Sequence, residues 1–114
     1  MLSHKVENGV LVLNLEDESR PQEQDLAALI SDMVHVHAHM PAVIVLGAAV
    51  HSEVIKAVLE AHHLCRELKV LIAVATPSAP ARRVLQAESA AQGGGLVVYA
   101  RADIAVATAD ADAL

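Results

Sequence analysis

Three aliphatic runs, Val10 to Leu15, Ala42 to Leu46 and Val70 to Ala75, are broken by a single polar residue, Asn14. No other feature constrains the fold as much. A strand with one wet face alternates apolar and polar residues, whereas an unalternated run belongs to a strand covered on both sides, as in a parallel sheet lined by helices. The segments between the runs have the complementary pattern. Leu26, Leu29, Ile30, Met33 and Val34 repeat at helical spacing after Pro21, which stands where a helix can begin. From Ser52 to about Leu68, Ile55, Val58, Leu59 and His62 share one face, with Val54 and Cys65 beside it. Pro77 and Pro80 mark a loop and the first turn of a third helix that reaches Ala91 and is stopped by Gly93-Gly94-Gly95.

The ends of the chain complete the pattern. Asn8-Gly9 separates a short segment, His4 to Val6, from the first aliphatic run, which is a hairpin signal. Leu96 to Tyr99 reads as a short edge strand, and Asp103 to about Thr108 as a final element, strand or helix. The expected fold class is therefore α/β: one sheet over residues 1–114, an opening β-hairpin, then alternating helices and mostly parallel strands joined by right-handed crossovers. A chain of this length closes one core without help from metals or disulfides.

Composition narrows the function classes. Apolar residues make up 54% of the chain, yet there is no Phe or Trp and one Tyr, so Val, Leu, Ile and Ala must build the core. A formal charge of −6 with scattered basic residues opposes a nucleic-acid surface, which needs clustered Lys and Arg. The densest basic pair, Arg82-Arg83, is a candidate spot for a carboxylate. The acidic group Glu16, Asp17, Glu18, Glu23 and Asp25 reads as a solvated loop and helix start. Cys65 is the only cysteine, which excludes an internal disulfide and a Cys-rich zinc site. No apolar run approaches a membrane span, and the first residues, with Glu7 soon after Lys5, lack a signal-peptide pattern, so no membrane insertion and a cytoplasmic location are expected.

The residue that invites a functional reading is Ser52, at the start of the second helix. The first N–H groups of a helix lack intrahelical partners and carry the positive end of its dipole, so a serine there can cap them and would suit a phosphate. The plain reading is a cap; the sharper one is a phosphorylation switch.

With Ser52 opening that helix, Ile55, Leu59 and His62 on its face, Val70 to Val74 as a strand, then Pro77-Ser78 and Arg82-Arg83-Val84-Leu85, the chain resembles the STAS domain of bacterial anti-sigma factor antagonists. The resemblance covers nearly the whole chain, most of it as apolar patterning. It departs at the switch motif: the family's Asp-Ser-x-Gly stands here as His51-Ser52-Glu53-Val54, the departures of a divergent member. Those departures favour the cap over the switch. The resemblance implies a regulatory module that binds a protein partner, an anti-sigma factor or a serine kinase, through His51, Ser52, Glu53, Lys56 and the loop at Ser78. It implies neither an enzyme nor a cofactor, and leaves the oligomeric state open.

Two other readings carry less. Seven histidines suggest a metal, but on a helix His35 and His39 share a face while His37 points elsewhere, and two imidazoles fall short of the three or four ligands zinc uses, so no metal site is expected. An extended His35-His37-His39 would align all three. The alternative function is enzymatic: Gly93-Gly94-Gly95-Leu96, Ala102 to Ala107 and Val6-Glu7-Asn8-Gly9-Val10 resemble parts of the crotonase family, which implies acyl-CoA binding over a backbone oxyanion donor. The stretch from Gly47 to Ser52 is too short for the second oxyanion loop, and one amide alone loses most of its electrostatic value.

Overall fold

A computed structural model describes residues 3–15, 26–37, 40–48, 52–66, 72–91 and 96–113. The chain opens with a hairpin of β1 (Ser3–Glu7) and β2 (Val10–Asn14), followed by α1 (Leu26–Val36) and β3 (Ala42–Val45). Then come α2 (Ser52–Arg66), β4 (Ile72–Ala75), α3 (Ala79–Ala91), β5 (Val97–Tyr99) and α4 (Ala102–Ala113). The strands form a single five-stranded sheet in the order β1-β2-β3-β4-β5, with β1 antiparallel to β2 and every other neighbour parallel.

This is the α/β architecture expected from the aliphatic runs. All four residues of β3 and all four of β4 are buried, as two-sided coverage requires. Successive side chains of a strand point to opposite faces, and here the two sets go to two cores. On one face Leu11, Leu13, Ala42, Ile44, Ile72 and Val74 meet Ile30 and Val34 of α1, Val54, Val58 and Leu59 of α2, and Leu85 of α3. On the other, Val10, Val12, Val43, Val45, Ala73 and Ala75 meet Ala105, Val106 and Ala109 of α4. Three helices thus cover one face and one covers the other.

Local chemistry sets several boundaries. The hairpin turns through Asn8 (φ 53°) and Gly9 (φ 75°), the two positive angles that a type I′ turn demands and that Asn-Gly tolerates best. The final element, open between strand and helix in the sequence, is a helix. Its small Ala face allows the close approach that the alanines of β4 permit from below. Ser89, buried near the end of α3, accepts the Leu96 N–H at 3.3 Å and so fixes the entry into β5. Pro21, the acidic group 16–25, Val70 and Leu71, and Gly93 to Gly95 lie outside the described residues.

No helix among the described residues is long and apolar enough to cross a membrane.

Candidate functional site

The parallel strands β3 and β4 run in the same direction, so the loops that leave them emerge on one side of the sheet and deliver the first turns of α2 and α3 next to each other. Between those helices lies a cleft of about 440 Å³ lined by Ser52, Ile55, Lys56, Leu59, Ser78, Pro80, Ala81, Val84 and Glu88. Its floor is aliphatic: Ile55, Leu59 and Ala81 are buried, whereas Val84 stays 44% exposed. A second hollow of about 600 Å³ shares Lys56, Leu59 and Glu88 with it and extends along the helices to Glu60 and His63. Three of the residues singled out by sequence, Ser52, Lys56 and Ser78, therefore meet at one cleft. Glu53, the neighbour of Ser52 on α2, is exposed, and His51 lies outside the described residues.

The α3 wall is built by a hydrogen-bonded loop. Thr76, buried in the first position after β4, donates its hydroxyl to the Gly47 carbonyl at 2.9 Å and accepts the Ser78 N–H at 3.2 Å. Ser78 in turn accepts the Ala81 N–H at 3.2 Å, the N-cap bond that satisfies one orphan donor of α3. Pro80 follows in the first turn, where its missing N–H costs nothing. The Arg82 guanidinium reaches back to the Thr76 carbonyl at 2.9 Å. One threonine thus ties the end of β3 to the start of α3.

These bonds correct two expectations. Ser52 is not the cap: it is the first residue of α2, it is exposed, and its hydroxyl donates to the Glu53 carboxylate at 3.3 Å instead of accepting a helix N–H. Its partner among the described residues is the adjacent acid; the serine seen capping a helix at this cleft is Ser78, and the helix is α3. The basic pair also divides. Arg82 is half-buried and spends its guanidinium on a backbone carbonyl, while Arg83 is exposed, so the two do not form a carboxylate clamp. Among the described residues Lys56 takes part in no ion pair, and its side chain is exposed at the cleft rim.

The histidines disperse. α1 ends at Val36, and His37 turns back so that its Nδ1 lies 2.8 Å from the Met33 carbonyl while its ring meets His4 edge-on, with centroids 5.4 Å apart. His62 is buried in α2 and His63 borders the second hollow, so the adjacent pair faces two environments. His39 lies outside the described residues. Among the described residues no group of three or more His, Cys, Asp or Glu side chains could hold a metal ion.

Sequence reasoning missed Thr76 and Ser89. A threonine before Pro-Ser, directly after an aliphatic strand, is the local signal for the first; Ser89 carried none, being a small polar residue on an otherwise ordinary helical face. No family model matches the chain, and neither a curated protein nor a solved structure matches it significantly.

Proposed function

We propose that this chain is a regulatory protein-interaction module, not an enzyme, that binds a segment of a cytoplasmic protein partner in the cleft between α2 and α3. The observation that carries the reading is the convergence of Ser52, Lys56 and Ser78 on one cleft with an aliphatic floor. An extended or helical segment can lay apolar side chains against Ile55, Leu59 and Val84, and a carboxylate on it can pair with Lys56. The resemblance to anti-sigma factor antagonists supports the same surface and suggests an anti-sigma factor or a serine kinase as the partner.

Ser52 is the candidate switch within this proposal. Its hydroxyl is exposed at the cleft mouth, on the same helix face as Lys56 one turn later. A phosphate there would add about −1.5 to −2 of charge beside Glu53, turning a mouth that attracts a carboxylate through Lys56 into one that repels it. The helix would tolerate that charge, because it sits at the positive end of the dipole.

The test is affinity capture of the partner from the native cell, followed by calorimetry on the purified pair. Ser52→Asp and Val84→Asp are expected to weaken binding by about tenfold or more, Ser52→Ala to keep it. Ile104→Asp is the control. Ile104 is 47% exposed, against 44% for Val84, but lies on α4 across the sheet. Unchanged affinity in both Ser52→Asp and Val84→Asp, or equal losses in Ile104→Asp, would move the interface away from the cleft.

A further inference from the structure

We propose that the outer edge of β1 pairs antiparallel with the same edge of a second copy of this chain, in the register that sets Val6 opposite Val6 of the second copy. This proposal is independent of the cleft reading, since β1 is the strand at one end of the sheet and the cleft lies between α2 and α3.

The backbone of β1 fixes which groups are free. Leu11 donates its N–H to the Pro41 carbonyl at 2.9 Å and Leu15 to the Val45 carbonyl at 2.8 Å, so the odd-numbered residues of β2 bond towards β3. The even-numbered ones, Val10 and Val12, therefore bond towards β1, where their partners are Glu7 and Lys5. A two-residue type I′ turn requires the same arrangement, with Glu7 and Val10 exchanging both bonds. It follows that the main-chain N–H and C=O of His4 and Val6 point away from the sheet. Among the described residues no strand pairs with that side, and the side chains of His4, Lys5, Val6 and Glu7 are all exposed.

Charge chooses the partner and the register. If the two-fold axis passed by Lys5, two ammonium groups would stand directly opposite each other, which is destabilising. With the axis at Val6, the valines form the hydrogen-bonded pair, and Lys5 falls opposite Glu7 of the second copy on both sides of it. Those are non-hydrogen-bonded positions, where facing side chains come closest. Each strand already pairs Lys5 Nζ with its own Glu7 carboxylate at 3.4 Å, so the dimer would join two exposed ion pairs into one alternating set of four charges. Apolar surface is available as well. Val6 is 49% exposed, and Val36, 75% exposed, precedes the His37 whose ring rests on His4 beside this edge. A strand this short buries too little for a permanent dimer, so the association depends on concentration. It would present two clefts in one particle, which raises avidity for a partner with two copies of the docking segment.

Sedimentation velocity from micromolar to millimolar protein tests the idea. The wild-type chain is expected to pass from monomer to dimer across that range. Lys5→Glu and Glu7→Lys should each abolish the dimer by placing like charges opposite each other, and the double variant Lys5→Glu/Glu7→Lys should restore it. Val6→Pro removes an outward N–H that the hairpin does not use, so it should give a folded monomer by circular dichroism. The charge swap carries the test if that variant does not fold. A wild-type chain that stays monomeric, a dimer that survives Lys5→Glu, or a double swap that fails to restore it overturns the proposal.

Discussion

Replacing Thr76 by Val keeps the side-chain volume and deletes one hydroxyl, so the loss is chemical and not steric. That hydroxyl donates to the Gly47 carbonyl at 2.9 Å and accepts from the Ser78 N–H at 3.2 Å, and Thr76 itself is 1% exposed. Val cannot replace either bond, and both backbone groups lose a partner in a part-buried loop. Each such group costs about 1–3 kcal/mol when fully desolvated. Partial access to water puts the sum near the low end for both, about 2 kcal/mol. For a chain of 114 residues, an unfolding entropy of about 2.1 cal/mol/K per residue converts this into a midpoint lowered by about 8 °C. The assay is thermal unfolding by circular dichroism, paired with urea unfolding at 25 °C to show that the slope is unchanged and the native state equally compact. Ser78→Ala supplies the comparison, because it removes the α3 cap for about 1 kcal/mol and leaves the bond to Gly47 intact. Since the two residues share one network, the double variant should cost less than the two single changes together. A Thr76→Val midpoint within about 2 °C of wild type would refute the view that this hydroxyl holds the loop.

Ser52→Ala is expected to change stability by less than about 0.5 kcal/mol, because among the described residues the exposed hydroxyl bonds to the Glu53 carboxylate alone; a loss of about 1 kcal/mol in urea would return the capping role to it. Ile72→Asp should prevent folding, since Ile72 is 1% exposed and an unpaired buried carboxylate costs several kcal/mol; a folded variant by NMR would overturn the core assignment. The non-enzymatic reading predicts no calorimetric binding of acyl-CoA compounds at micromolar levels, and saturable binding abolished by Gly94→Pro in a folded variant would favour the crotonase-like alternative instead.

The sheet was legible because its strands are read from bulk patterning: β3 and β4 need apolar residues on both faces, and unalternated aliphatic runs supply them. The hairpin was legible because Asn8-Gly9 is a backbone requirement written in residue type. What escaped depends on which hydrogen bond wins locally. Ser52 and Ser78 both precede aliphatic helical repeats, so both pass as caps, and the choice is made by geometry. Ser78 sits just before α3, after the bend at Pro77, with its oxygen turned to the Ala81 N–H, while Ser52 is already inside its helix with a carboxylate at hand. α4 could not be assigned from the sequence for a related reason. Its alanines give it almost no polar and apolar sidedness, and the aliphatic sheet face it covers, built from β2, β3 and β4, decides where it packs.

The candidate site was half legible, and the missing half explains its shape. Sequence placed Ser52, Lys56 and Ser78 at separate helix starts; it could not show that two parallel strands would bring those starts together. The agent is the buried Thr76, which bonds across from the loop after β4 to the carbonyl of Gly47 just beyond β3. Because that same hydroxyl orients Ser78, and Ser78 caps the helix that forms one wall, the start of α3 is tied to the end of β3 by a chain of three short contacts, in which Ser78 alone also lines the cleft. A segment bound in the cleft would therefore press on an α3 wall whose start is anchored from beneath. Substitutions at Thr76 should weaken partner binding through altered wall position while leaving every residue that touches the partner unchanged.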